Sequence, residues 1–589
     1  MLTQHSGHEE YHLGIHYGHN ATVAVVKDGR LIFCQSEERL NRIKNSTGFP
    51  EQTLEYVYEA VCSPDEVMSA TLFQESIFGY LTLKAHNFKP FQYGYFLSPD
   101  APGGRSLLPP EIYWRLSQWR ARQVKERNPV LAREAAAYFS RELRLSEDRI
   151  HLVKHHLSHA YSAVPNIAHR DDVLIFTLDG SGDYVSATVS RWQGGKLSLL
   201  QRTDHRNSIG YVYSAVTSLM GMKSGEHEFK VMGLAPYAKA GYYRQLVERL
   251  NHLLWIDDAG QWVARFPPTV LLRELEKIFR FQRFDNIAGA VQQFTEELVQ
   301  SWALYWVNQT GVRDIAVAGG VFMNVKASQR LLSCAEIRSM FVVPSAADES
   351  TAIGAAFYAS HRFMPEIPLQ PLRDLYLGRD YSDEEIAAFL QRGDISARYG
   401  ITRPDTIDGV VARLIADNQV VARFSGAMEF GARALGNRSI LANPSSFQTV
   451  ELINAAIKSR DFWMPFTPSI LEEDMGRYIV GHERIHAPYM CITFDTTAEA
   501  RRDLPAAIHP RDHTARPQCV IQDWNPGYHR LISEFKRLTG IGAVLNTSFN
   551  LHGEPNVCSP ADAIHTLDES GLKYLALGPY LLQKRESAA

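Results

Sequence analysis

The chain has 589 residues, 45% of them apolar and 21% charged, and its 61 basic and 65 acidic residues leave a formal charge of -4. A chain of this length exceeds one hydrophobic core and divides into two or three domains. The balanced charge excludes a general attraction to nucleic acid or to anionic membranes.

The first predicted elements are a strand at HLGIHY, a tight loop at GHNA, a strand at TVAVV, a hairpin turn at Asp28-Gly29 and a strand at RLIFCQ. A similar block returns at 172–202: strand DVLIFTL, loop DGSGD, strand YVSATVSRW, turn Gly194-Gly195 and strand KLSLLQ. This internal repeat is the layout expected of a duplicated α/β ATPase, each half supplying a phosphate-facing loop. Between the blocks, 98–110 is turn-rich and 111–145 reads as a helix, with Arg115, Arg120, Arg122, Lys125 and Arg127 on a basic face. That face is either a solvated surface or an insertion that binds an acceptor or a second copy of the chain. Farther on come a helix at 287–309, a buried strand IAVA (315–318), a turn GGVFMN (319–324), a helix VKASQRLL and a small-residue helix at 351–361. Pro365, Pro368 and Pro371 mark 363–377 as a linker, and a helix begins near Ser382 with acidic residues in its first turn. The expected division is therefore a domain at 1–362, a linker at 363–377 and a mixed α/β domain at 378–589.

Six cysteines, Cys34, Cys62, Cys334, Cys491, Cys519 and Cys558, show no C-x-x-C spacing, which argues against a zinc knuckle or redox motif. The N-terminal MLTQHSGHEEYH lacks a signal peptide's basic and apolar regions, and no apolar run approaches the ~18–20 residues that cross a bilayer. The expectation is a cytoplasmic protein without a membrane or nucleic-acid partner.

In KHHLSHAYSA, His155 and His159 lie four apart and share one helix face, where they can bind one metal; taken alone, the pair also fits a histidine-rich structural helix. His156 points off that face. Asp179 opens DGSGD after a buried strand, a position that suits a metal bridging to phosphate. Asp348 precedes a helix and reads either as a ligand or as a cap. Two His and two Asp, completed by a phosphate, suit Fe(II), Mn(II) or Mg(II) better than a closed zinc site. Gly319 and Gly320 allow a nucleotide close to the backbone, with Asn324 ending that turn, and Lys230 is either a contact to nucleotide or acceptor or a surface lysine. In the second domain, Arg433, Arg438, Lys458, Arg460 and Arg516 join Asn546, Thr547 and Ser548 in a set suited to a small oxyanion, although each arginine alone fits a surface ion pair.

In order, GHNATVAVV, SEERLNRIK, HHLSHA, TLDGSGD, KVMGLAPY, GGVFMN, RALGNRS, PFTPS, RPQ and LNTSFN resemble the NodU/CmcH-type O-carbamoyltransferases over nearly the whole length. The resemblance implies a duplicated actin-like domain (related to sugar kinases and threonylcarbamoyladenosine transferases) followed by a YrdC-like α/β domain. It also implies a relay. Carbamoyl phosphate is cleaved to carbamate, carbamate reacts with ATP to give carbamoyladenylate, and a channel delivers it to the first domain. There an acceptor hydroxyl takes the carbamoyl group. By the same resemblance His155, His159, Asp179 and Asp348 hold a divalent metal, Fe2+ first and Mg2+ or Mn2+ otherwise. Lys44, Ser208 and Gly320 contact the adenylate, and His19 is a general base. Arg433, Lys458, Arg516, Asn546 and Ser548 bind carbamoyl phosphate or carbamate, with catalytic roles for Lys458 and Arg516. The acceptor is expected to be a small-molecule natural product, as in antibiotic or other secondary metabolism, and a homodimer is compatible. Two positions depart from the family: Asn20 stands where many relatives carry Asp, and Met464 where they carry Arg, so one phosphate-binding cation is missing, and either Arg460 or another cation compensates or carbamoyl phosphate is held less tightly. A tRNA-threonylcarbamoylating enzyme is the neighbouring alternative, against which the near-neutral charge argues. A non-enzymatic actin-like ATP-binding module is a third reading.

Overall fold

The hairpin blocks form because a two-residue turn with left-handed backbone matches the twist of the strands it joins. Asp28 and Gly29 have φ of 50° and 71°, and Gly194 and Gly195 have 56° and 75°. The structure, a computed structural model describing residues 10–73, 83–84, 91–92, 129–458 and 460–585, comprises two units, Met1–Leu372 and Arg373–Ala589. Their division falls within 363–377.

In the first unit a five-stranded sheet runs in the order Arg30–Ser36, Thr22–Lys27, Tyr11–His16, Val67–Leu72, Ile150–Leu152. A second sheet repeats it: Lys196–Asp204, Val185–Gln193, Asp172–Gly182, Asp314–Ala318, Ser339–Val342. In both, the first two pairings are antiparallel and the last two parallel. The repeated topology is the duplicated actin-like architecture expected from the sequence. One expectation is corrected: DGSGD is not a loop. The strand continues to Gly182, which pairs with Val185, and the chain reverses at Asp183 and Tyr184, whose φ values are 49° and 63°. Paired left-handed residues make a turn that tight without glycine, at a conformational cost.

Small side chains set the helix spacing beside these sheets. A Cβ on Gly14, in the first strand, would lie 1.9 Å from the Ala352 carbonyl oxygen, and one on Gly354 would lie 1.7 Å from that of Ser158. The helix Ser350–Phe363 thus wedges between the first sheet and the helix His155–Ile167, nearly all of which is buried. The helix Phe284–Thr310 covers the predicted 287–309 and stops at left-handed Gly311. Residues 98–128, with the turn-rich segment and the five basic positions named above, lie outside the described residues; 129–143 is helical, as expected.

The second unit is built on an eight-stranded mixed sheet ordered Tyr399–Thr402, Tyr580–Lys584, Tyr574–Leu577, Val421–Phe424, Arg438–Ala442, Ala543–Ser548, Thr467–Leu471, Gln518–Val520. Strand neighbours divide between two apolar clusters: Ile440, Leu545 and Leu575 pack into one, and Leu441, Val544 and Ala576 into the other. Such alternation means both faces of the sheet are covered. The helix Asp383–Leu390 starts at Ser382 with a capping box closed by Glu385, where the sequence places a helix start. Among the described residues no helix is long and apolar enough to cross a membrane.

Candidate functional site

The helix His155–Ile167 follows a short edge strand, and its i, i+4 spacing turns His155 and His159 to one side, as the sequence predicts. Asp179 comes from the central strand of the second sheet and Asp348 from the segment before Ser350–Phe363. The four donors converge. His155 Nε2 lies 3.3 Å from Asp179 Oδ2 and 3.5 Å from Asp348 Oδ1; His159 Nε2 lies 3.1 and 3.4 Å from the same oxygens. The two Nε2 atoms are 3.1 Å apart. A divalent ion with bonds of about 2.1 Å in tetrahedral geometry sets its ligands about 3.4 Å apart, so these edges fit. Two facing ring nitrogens and two carboxylates satisfy one another through a shared cation better than through a single proton. The group can therefore hold a metal ion.

Electrostatics agrees. Burial pulls the His159 imidazole down, but hydrogen bonds and charge from Asp179 and Asp348 outweigh it and lift it to about 9. Burial and the charge of Asp348 act to raise Asp179, yet bonds to His155 and His159 win and its carboxyl lies below the usual range. Asp348 is lowered further, burial being overcome by His155, His19 and His159. The capping alternative for Asp348 falls away. Its backbone oxygen accepts from Thr351 N and Oγ1, while its carboxylate faces the histidines.

His19 joins the group through Asp348 Oδ2, 2.9 Å from its Nε2. Burial opposes its charged form, but the charge and hydrogen bond of Asp348 raise its pKa. Asn20 has φ of 62°, a left-handed conformation that asparagine tolerates, so the residue is explained by the turn. Ser208 caps the helix Ile209–Leu219 through Tyr211 N and donates to the Asp179 backbone oxygen, 3.2 Å away. Gly319 has φ of 99°, and a Cβ on Gly320 would lie 3.0 Å from Asp179 Oδ1. Ser208 and Gly320 therefore border Asp179. Lys44 and Asn324 have further partners of their own. Lys44 acts on buried Glu38, whose carboxyl is lowered by Arg39 and Lys44 against the effect of burial. Asn324 caps its helix through Ala327 N and exchanges hydrogen bonds with the Gln292 amide. Lys230 is half-buried on the helix Glu228–Leu234.

Three supporting residues escape local sequence patterns. His16 joins the His19 backbone oxygen to Thr351 Oγ1, at 2.8 Å each, and burial lowers its pKa to about 3, so it serves as a neutral strut. Asp183 Oδ2 accepts the His155 N–H at 2.9 Å. Gly182 leaves room for the His155 ring, which a Cβ would approach to 2.0 Å. His156 bonds Thr177 Oγ1 and the Val185 backbone oxygen, a structural role.

In the second unit Arg433, Arg460 and Arg516 gather. Burial and then Arg433 hold Arg460 down to about 10; burial, Arg433 and Arg460 hold Arg516 well below its usual value. Cations that oppose one another's charge mark a place for an anion. Arg460 thus stands in this cluster, whereas Met464 ends a turn through a bond to the Asp461 oxygen. Arg460 also donates to Thr547 Oγ1. Buried Lys458, at the end of the π-helix Asn454–Lys458, reaches Ser548 Oγ at 3.2 Å and Asn550 Oδ1 at 2.7 Å. Asn546 spends its amide nitrogen on the Ala434 carbonyl and Ser469 Oγ, but its Oδ1 is buried without a partner among the described residues. Arg438 is corrected. It is fully buried and donates to the backbone oxygens of Ser425, Gly426 and Asn437, a structural arginine rather than part of the oxyanion set. Glu429, which no motif announces, folds the loop carrying Arg433 by accepting the N–H groups of Leu435, Asn437 and Arg438 on one oxygen.

Comparisons with known proteins bear on the whole chain. Residues 115–357 match the family model described as the carbamoyltransferase N-terminus, and 412–584 the one described as the carbamoyltransferase C-terminus. Nodulation protein NolNO of Sinorhizobium fredii (strain NBRC 101917 / NGR234) is 32% identical over 97% of this chain and 80% of its own. The 3'-hydroxymethylcephem-O-carbamoyltransferase of Amycolatopsis lactamdurans is 32% identical over 46% of this chain and 49% of its own. A crystal structure of full-length HypF in the phosphate- and nucleotide-bound form aligns at 14% identity and a TM-score of 0.35, over 62% of this chain and 48% of that one. With both family models matched in order, and a relative of this identity along nearly its full length, the chain belongs to the carbamoyltransferase family, a family of transferases.

Proposed function

We propose that this carbamoyltransferase transfers a carbamoyl group from carbamoyl phosphate to a hydroxyl of a small-molecule natural product, with ATP activating the group as carbamoyladenylate. The observation that carries the reading is the cluster of Arg433, Arg460 and Arg516, three cations at mutual electrostatic cost that suit a dianionic phosphate. Lys458 and Ser548 stand beside Thr547, which Arg460 contacts, and would bind the carbamoyl end. Water cleaves carbamoyl phosphate to carbamate and phosphate. Carbamate oxygen then attacks the α-phosphorus of ATP, and pyrophosphate leaves.

Consumption of the adenylate belongs to the first unit. Ser208 and Gly320 border Asp179 and, with Gly319, would position the adenylate, with Lys44, Lys230 and Asn324 as outer contacts. The acceptor hydroxyl attacks the carbamoyl carbon, AMP leaves, and the hydroxyl proton passes to His19. Asp348 orients the His19 ring and stabilises the cation that forms. His155, His159, Asp179 and Asp348 would hold a divalent ion, with Fe2+ the first choice and Mn2+ or Mg2+ the alternatives, which would supply neutralisation of phosphate charge. Activation is needed because carbamate is a poor electrophile, and exclusion of water protects it. The cephem relative, whose name specifies a hydroxymethyl acceptor, supports a hydroxyl substrate.

Incubation with ATP, carbamoyl phosphate and a divalent metal, followed by measurement of AMP, pyrophosphate and phosphate, tests the proposal. Pyrophosphate formation should depend on carbamoyl phosphate. ATP turnover indifferent to carbamoyl phosphate would overturn it.

A further inference from the structure

We propose a second metal site, in the Arg373–Ala589 unit, where Glu472, His486 and Cys519 bind a zinc-type divalent ion. The donors come from three segments with no common sequence motif, and they converge. Glu472 Oε1 lies 3.3 Å from His486 Nε2, Cys519 Sγ lies 3.9 Å from the same nitrogen, and all three atoms fall within 4.8 Å of one another.

The shared nitrogen is the telling detail. A thiol activated through an imidazole needs the thiol on one ring nitrogen and the carboxylate on the other. Here both partners face Nε2, so a Cys-His-Glu relay is excluded by geometry. A single ring nitrogen, protonated or not, cannot serve a thiol and a carboxylate equally well. A cation at their common centre can.

The spacing also fits. Bonds of about 2.3 Å to thiolate sulfur and about 2.0–2.1 Å to nitrogen or oxygen, at the tetrahedral angle, set sulfur and nitrogen about 3.6 Å apart and nitrogen and oxygen about 3.4 Å apart. The observed edges of 3.9 and 3.3 Å differ from these by a few tenths of an ångström. The backbone holds the donors in place. Thr467–Leu471 and Gln518–Val520 pair in parallel, Ile470 opposite Cys519, which sets Glu472 at the end of one strand beside Cys519 on the other. Cys519 N donates to the Ala487 oxygen at 2.9 Å, bringing the neighbour of His486 alongside. Cys519 is buried while Glu472 and His486 are exposed, which leaves an entry path and room for a water as fourth ligand. Sulfur and imidazole favour Zn2+ over Mg2+. Bound there, the ion would steady the strand whose Gln518 donates to the Leu435 oxygen in the Arg433 loop.

Cobalt(II) titration of the full-length protein separates this site from the His155 group, which contains no sulfur. A tetrahedral Co(II)-thiolate centre absorbs in the near ultraviolet by sulfur-to-metal charge transfer. Wild type should develop this band, and excess Zn2+ should bleach it. Cys519→Ser should abolish the band while retaining cobalt at the histidine-aspartate group, and Glu472→Gln, at an exposed position where folding is insensitive, should weaken the cobalt affinity read from it about tenfold or more. Absence of a thiolate band in wild type at saturating cobalt overturns the proposal, as does a band that survives in Cys519→Ser or an unchanged affinity in Glu472→Gln.

Discussion

Replacing Gly182 with alanine would place a methyl group where the His155 ring now lies. The added Cβ would stand 2.0 Å from Cγ, 2.1 Å from Cδ2 and 2.6 Å from Nδ1. Carbon atoms in contact settle about 3.5–4.0 Å apart, so the ring must withdraw by roughly 1.5 Å. The strand cannot give way cheaply, because Asp183 and Tyr184 already occupy left-handed conformations and Asp183 holds the His155 N–H. A metal site tolerates ligand displacements of about 0.2 Å, so metal affinity should fall about 100-fold or more, with about 1–3 kcal/mol lost from stability. Affinity is read by competition with a chromophoric chelator in a Cys519→Ser background, which removes the second proposed site, and folding by a circular-dichroism melt. Gly241→Ala is the control. A Cβ there meets no atom within 4 Å, and its helical setting should yield a gain of up to about 1 kcal/mol. Should Gly182→Ala bind metal with wild-type affinity, His155 is not held where the structure places it and the four-donor group is not the metal site.

Arg516→Gln removes one cation from the oxyanion cluster; loss of a charge-assisted contact of about 1.5–3 kcal/mol should weaken phosphate or carbamoyl phosphate binding by roughly 10- to 100-fold in calorimetry. Arg438→Gln should instead impair folding, leaving binding by the folded fraction comparatively intact. Burial lowers His12 to about 4, so the unfolded chain takes up a proton between that value and about 6.5 while the folded chain does not. Stability is therefore lost as pH falls through that window, and His12→Gln should reduce the loss by up to about 1.4 kcal/mol per pH unit. Urea midpoints at pH 7 and pH 5 measure this, and an unchanged difference between them contradicts it. Gly354→Ala drives a methyl group into the Ser158 carbonyl and should lower the urea midpoint by the equivalent of about 1–3 kcal/mol.

The hairpins and the duplicated sheets were legible because Asp28-Gly29 and Gly194-Gly195 are strong local turn signals between alternating strands. The histidine pair was legible for a similar reason, since helical period alone puts positions 155 and 159 together. Asp179 and Asp348 were reached through their place after a strand and before a helix, with the family resemblance choosing among their roles. Tertiary partners were not readable in this way. Nothing near Asn324 announces Gln292, and nothing near Arg438 announces the carbonyls that enclose it. Likewise Asp183-Tyr184 lacks the glycine that normally marks so tight a reversal, so the second hairpin was read as ending several residues early. The lack of C-x-x-C spacing argued only against a local knuckle, and spacing is blind to donors drawn from three separated segments.

The two halves of the first unit share a topology, yet the equivalent segments that follow or end their first strands have diverged in chemistry. The first half presents His19 from the segment after its first strand and the second presents Asp179 from its central strand, and both meet Asp348 or its histidine partners. After an ancestral duplication such a fold could specialise each copy separately, one towards handling protons and the other towards holding a cation. On the roles proposed for His19 and Asp179, the halves are not interchangeable. Grafting the Asp179 segment onto the first half would preserve the sheet and, on those proposed roles, abolish the division of labour, a loss that backbone superposition alone would never reveal.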